Sequence, residues 1–238
     1  MAFSYGWRGP NIVKDGLVLY LDPGSPNSYF DKTGTIIRDI SGQSNNATLV
    51  NGPTYNSSNS GNIVFDGVND YANLGTNINF STYTNGFTIG FWVKVLNTSQ
   101  TNRYVFSKLT TAGSDNQFSI VYGYVGSTFE LYAGAAGVGA NQTIRTNSQI
   151  LVNDTNWHFL YYTVGATTIG YLDAIAKFTN TYASLTFVSS TNNNLLTTFH
   201  GTGFYGNVSI GNMILYNRIL SATEITQNFN ATRTRFGI

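Results

Sequence analysis

Tyr205-Gly-Asn-Val-Ser-Ile-Gly-Asn-Met-Ile-Leu-Tyr-Asn-Arg-Ile-Leu-Ser-Ala-Thr-Glu-Ile-Thr-Gln-Asn-Phe229 is the stretch that decides the fold. Two elements of different period meet in it. Val208, Ile210, Met213, Leu215 and Asn217 read as a strand whose phase slips once, at Gly211. A glycine inside a strand pattern marks a bulge. Ser221 follows, with Glu224 three residues later. That spacing is a capping box, in which each side chain satisfies a backbone N–H left unpaired at a helix start. Ile225 and Phe229, four apart, supply the buried stripe of a helix of about three turns. A strand, a short turn and one short helix in an otherwise helix-poor chain predict a helix laid against a sheet.

Working outward, the remaining apolar runs have strand period. Phe87, Ile89, Phe91, Val93 and Val95 alternate with Thr88, Gly90, Trp92 and Lys94, so the first set faces a core and Trp92 lies on the opposite face. Gly16-Leu-Val-Leu-Tyr-Leu-Asp22 is a short strand apolar on both faces, as for a strand covered on each side. Short strands are predicted at 103–109, 117–123 and 128–133, and a longer one at Asn156–Val164 that pairs with Thr167–Asp173 through a turn at Gly165-Ala166. Thr186 to Gly203 is predicted to be a long polar loop, a candidate binding rim or a plain solvated connection.

Composition narrows the function. Aromatic residues make up 15% and charged residues 10% of 238, with a net charge of +1, which leaves no electrostatic footprint for nucleic acid or an anionic membrane. The surface must therefore be rich in Asn, Thr, Ser and Gly, suiting an assembly or neutral sugars. With no cysteine there is no disulfide, thiolate zinc site or cysteine nucleophile. Met1 to Asp15 shows no apolar run of signal-peptide length. The sequons Asn46-Ala-Thr48, Asn97-Thr-Ser99 and Asn207-Val-Ser209 are accordingly read as unmodified. The glycine-alanine stretch from Ala133 to Gly139 lacks the lysine and Ser/Thr spacing of a phosphate loop.

Several motifs carry a resemblance. Ile210-Gly211, Tyr216-Asn217-Arg218, Leu220-Ser221 and Glu224-Ile225 look like the closing signature of laminin-G-like jelly rolls, in the concanavalin A-like lectin/glucanase superfamily. Leu21-Asp22, Asp39-Ile-Ser-Gly-Gln-Ser-Asn-Asn46, Ile63-Val-Phe-Asp-Gly-Val-Asn-Asp-Tyr71 and Asn156-Trp157-His158 resemble its other motifs. The resemblance implies an all-β jelly-roll β-sandwich of two antiparallel sheets with one short C-terminal helix, whose first and last strands meet. It implies an arm at 1–15, a domain at 16–233 and a tail at 234–238. It also implies packing roles for Trp92 and His158. Ala174 stands where the family usually has glycine, after Asp173. Arg8-Gly9-Pro10-Asn11 and Asn228-Phe-Asn-Ala-Thr-Arg-Thr-Arg-Phe-Gly237 are similar to jelly-roll proteins of tailed bacteriophages. That likeness implies a virion structural protein, capsid-decorating or tail-associated, assembled in a bacterial host cytoplasm. The alternative is a carbohydrate-binding module.

Candidate site residues follow. Phe3, Tyr5, Trp7 and Arg8 in the arm, and Arg233 and Arg235 in the tail, are expected to contact other virion proteins or a second copy in a homo-oligomer. Asp66, Asn69 and Asp70 offer hard oxygens to Ca²⁺, or else bond their own turn. No cofactor is required. A hydrolytic site needs two facing carboxyl groups. Sandwich glucanases of this resemblance carry a Glu-x-Asp-x-x-Glu strand, whereas the only glutamates here are Glu130 and Glu224. No catalytic residue is assigned.

Overall fold

Gly211 is where the predicted slip falls, and it organises one whole sheet. In the computed structural model, which describes residues 11–109, 116–133, 148–181, 187, 193–199 and 203–238, the last strand carries a register shift between Ile210 and Asn212. The strands in chain order begin with β1 (Leu17–Leu21), β2 (Ile36–Ile37), β3 (Ala47–Val50), β4 (Thr54–Asn56), β5 (Asn62–Asp66) and β6 (Tyr71–Asn73). β7 (Phe87–Val95), β8 (Arg103–Leu109), β9 (Asn116–Tyr122), β10 (Thr128–Ala133) and β11 (Ile150–Leu151) follow. The chain closes with β12 (Trp157–Val164), β13 (Thr167–Leu172), β14 (Ile175–Thr181), β15 (Asn194–Leu196), β16 (Asn207–Tyr216) and the helix α1 (Ala222–Thr232).

The back sheet runs β14-β13-β12-β7-β16-β5-β4. β5 pairs with β16 before the bulge, at Asn207–Ile210, and β1 pairs after it, at Met213–Tyr216. First and last strands therefore meet, as expected. The front sheet runs β11-β10-β9-β8-β15-β6-β3-β2. All strand pairs are antiparallel. This is the expected jelly-roll sandwich.

The inward faces form one core. Phe87, Ile89, Phe91, Val93 and Val95 of β7 all lie in it, as the alternation requires. Phe80, Phe87 and Phe118 pack with ring centroids 4.6–5.3 Å apart, in the tilted and edge arrangements aromatic quadrupoles favour.

A second apolar layer covers the outer face of the back sheet. Ser221 and Glu224 make the predicted capping box. The helix they start lies on Trp92, which is fully buried. Trp92 stacks on Phe236 at 4.2 Å and donates its indole N–H to Thr232 Oγ1 at 2.8 Å. Trp92 is thus a packing residue, as the resemblance implies. Gly211 must be glycine here, because a Cβ would sit 2.4 Å from the Phe236 ring. The packed layer reaches past both expected boundaries. Val13 is buried, with its N–H on Asn228 Oδ1, and Phe236 is 5% exposed.

Two elements differ from the sequence expectation. β15 lies inside the predicted loop 186–203 and sits centrally, between β8 and β6, because Leu195 and Leu196 are too short a pair to show strand period. The turn from β13 to β14 keeps its tight two-residue form without glycine, since Asp173 and Ala174 take φ of 52° and 62°. Among the described residues no helix is long and apolar enough to cross a membrane.

Candidate functional site: an aromatic face on the front sheet

Strand alternation sets two cross-strand rows on the outer face of the front sheet. Tyr104 of β8 faces Val121 of β9, which faces Glu130 of β10. Ser107 faces Ser119, which faces Tyr132. A bulge between Tyr104 and Phe106 turns Val105 and Phe106 into the core and leaves Tyr104 outside. Tyr104, Val121 and Tyr132 form an apolar cluster of their own with Phe199 packed on it.

Two rings project from this cluster. Phe204 is 45% exposed and lies 6.0 Å from Tyr104, which itself stacks on Phe199 at 4.8 Å. Tyr124 is 44% exposed and stands edge-on to Tyr132 at 6.0 Å. Each ring is held by the backbone beneath it. Phe204 has φ of 54°, a left-handed conformation that is costly for a bulky residue and that clusters at binding sites. It is fastened by the Tyr104 N–H, which donates to its carbonyl at 3.0 Å, and by the Phe199–Gly203 bridge next to it. Thr197, at φ of 67°, starts the same segment and donates its hydroxyl to Asp70 O.

Glu130 explains the pose of Tyr124. Its carboxylate is fully buried and accepts from the Val125 N–H at 2.9 Å, from Thr128 Oγ1 at 3.2 Å and from Tyr132 Oη at 3.3 Å. A buried carboxyl group needs such partners, and here they pin the β9–β10 turn that presents Tyr124. Between the rows, the Ser119 hydroxyl is buried and has no hydrogen-bond partner. A buried polar group left without a protein partner in this way is a place for an ordered water. Exposed rings on a rigid sheet suit the apolar C–H faces of a sugar.

The residues expected from sequence lie elsewhere. Phe3, Tyr5, Trp7 and Arg8 fall outside the described residues. Arg233 is exposed, with its guanidinium 5.7 Å from the Phe229 ring. Arg235 needs correction as a partner-facing residue. Its acidic partner is in its own chain, Asp22 at 2.5 Å, and it also donates to the carbonyls of Asn59, Gly61 and Gly211. Asp66 Oδ1 accepts from the Val68 N–H, and Asp70 Oδ2 accepts from the Asp66 N–H. These two carboxylates therefore serve their own turn. Burial pushes the Asp70 carboxyl above its usual range. Among the described residues no group of three or more His, Cys, Asp or Glu is placed to hold a metal ion.

His158 is a clamp between two carboxylates. Nδ1 lies 2.9 Å from Asp173 and Nε2 3.1 Å from Asp154. The hydrogen bond to Asp173 raises its pKa; burial opposes the rise and Asp154 adds to it. Glu224 is held down to about 2 by Arg218, with the Ser221 cap helping. Glu130 and Glu224 sit on opposite outer faces of the sandwich, on β10 and α1.

With this geometry in place, the comparisons with known proteins are direct. The chain belongs to the concanavalin A-like lectin/glucanases superfamily, whose Laminin_G_3 model matches residues 66–226. No curated protein matches it in sequence. Among solved structures it is similar to a Trypanosoma rangeli sialidase in complex with sialic acid, with TM-score 0.64, 19% identity, 92% of this chain and 33% of that one. It is similar to the binding domain of Paraclostridial Mosquitocidal Protein 1, with TM-score 0.67, 18% identity, 92% of this chain and 52% of that one. It is also similar to the binding domain of Botulinum Neurotoxin DC in complex with SialylT, with TM-score 0.65, 14% identity, 92% of this chain and 52% of that one. The chain spans a third to about half of those structures, so the likeness is one of fold.

Proposed function

We propose, for this member of the concanavalin A-like lectin/glucanases superfamily, that it is a carbohydrate-binding module which takes saccharide on the outer face of the front sheet. The observation that carries the reading is the pair of exposed rings, Phe204 and Tyr124, each fixed by the contacts beneath it. Two of the similar structures are named as complexes with sialic acid or SialylT and two as binding domains, which favours glycan recognition over the particle-assembly role expected first. A hydrolytic reading has less support, because the two glutamates lie on opposite faces and each is engaged by its own neighbours. Ca²⁺ at the Asp66–Asp70 turn is an optional part of the proposal, joined to the aromatic face through Thr197 and Asp70.

The test is a glycan array read with and without calcium, on the wild type and on Phe204→Ala and Tyr124→Ala. Losing one stacked ring costs about 1–2 kcal/mol, or about 5–30-fold in affinity. Binding that both variants lose by that factor supports the proposal. Binding that neither variant changes would remove this face as the site.

A further inference from the structure

The outer face of the back sheet carries a second feature, independent of the aromatic face. α1 covers only part of it. Beyond the helix, register places Trp157, Lys94, Ser209 and Val64 side by side on β12, β7, β16 and β5. They floor an open groove of about 250 Å³, walled by Asn59 and Asn62.

The wall is built rather than incidental. Asn59 and Ser60 take φ of 54° and 61°, an unfavourable conformation for a serine. Arg235 holds them there, through the carbonyls of Asn59 and Gly61, while Asn59 Nδ2 donates back to Arg235 O. The Trp157 indole N–H donates to Asn59 Oδ1 at 3.0 Å, which fixes the indole edge at the rim. Asn62 Nδ2 closes the turn onto Ser58 O. Inside this rigid frame two polar groups are not engaged by any described residue: the Lys94 ammonium and the Ser209 hydroxyl.

We infer that the groove is a second ligand site, for one ring of a carboxylated sugar. The single ammonium matches a single negative charge. A dianionic phosphate would draw on several donors or a nest of backbone N–H groups, and the groove offers neither. The hydroxyl of Ser209 matches a ring hydroxyl. A groove of about 250 Å³ has room for one ring. Lys94 binds the carboxylate, Ser209 takes a neighbouring hydroxyl, and the Trp157 edge closes one side.

The experiment is a titration with glucuronate, glucose and acetate, followed by the indole ¹⁵N–H resonance of Trp157 in the whole chain. Glucuronate is expected to shift that resonance, and glucose and acetate at the same concentration to leave it in place. Lys94→Gln, checked for an unchanged melting temperature, is expected to weaken glucuronate at least tenfold, with Lys94→Arg recovering part of the loss. Phe204→Ala is expected to leave it unchanged, which keeps this site separable from the front face. An unmoved Trp157 resonance, equal response to acetate, wild-type affinity in Lys94→Gln, or loss in Phe204→Ala would each overturn the inference.

Discussion

Replacing Arg235 with alanine tests how the end of the chain is used. The side chains of Arg235 and Asp22 are 15% and 13% exposed, so the pair is largely removed from water. Deleting one partner of such a pair leaves an uncompensated charge and costs about 3–5 kcal/mol. Three carbonyls, of Asn59, Gly61 and Gly211, lose their donor at the same time. For a domain of this size each kcal/mol moves the midpoint by about 2–4 °C, so Arg235→Ala should lower Tm by about 6–20 °C. Arg233 is the internal control. It has the same charge two residues away but is exposed, so Arg233→Ala should stay within about 0.5 kcal/mol. Thermal and urea unfolding of both variants, with Asp22→Ala and the double variant, complete the cycle. A coupling of about 1–3 kcal/mol between Asp22 and Arg235 is expected. Equal Tm losses for Arg233→Ala and Arg235→Ala, or no coupling, would refute the internal role and return Arg235 to the surface.

Other consequences follow from single contacts. Gly211→Ala pushes a Cβ into the Phe236 ring and should cost about 1–3 kcal/mol by overpacking, seen as a lower urea midpoint with the slope unchanged. His158 has a raised pKa in the fold, so its bonds to Asp173 and Asp154 stabilise fully below its ordinary value of 6.5 and fade as pH rises through the higher folded value. The wild type should therefore lose stability on passing upward from pH 6.5, and His158→Gln should flatten that slope in melting curves; an unchanged slope would contradict the clamp. Ala174→Gly relieves a φ of 62° that costs alanine about 1–2 kcal/mol, offset by about 0.4–1 kcal/mol of added chain entropy, so Tm should hold or rise by a few degrees. A clear fall in Tm would contradict it.

Local chemistry made much of the fold legible. The slip at Gly211, the capping box at Ser221 and Glu224, and the alternation of β7 each rest on residues a few positions apart, and each is found as expected. What the sequence hides is long-range. Alternation puts Trp92 on the outer face, but its cover comes from Thr232 and Phe236, at the other end of the chain. Arg235 finds Asp22 across 213 positions, which no spacing rule reveals. β15 is hidden because its three residues sit in polar surroundings, and a strand that short is recognised only by its neighbours β8 and β6. The aromatic face has the same origin. Tyr104, Tyr124, Tyr132, Phe199 and Phe204 share no period, and only the pairing of β15, β8, β9 and β10, with the Tyr104–Phe204 backbone bond, brings them together. The one available signal was the loop before β16, singled out as a candidate rim, whose described residues do supply Phe199 and whose end leads into Phe204.

Aromatic carbon resonances followed during titration with a saccharide selected from the array read the front face itself. The ring signals of Phe204 and Tyr124 should shift and saturate together, while those of Trp92, buried under α1, stay in place. Saturable binding that leaves both Phe204 and Tyr124 unmoved would contradict the proposed site.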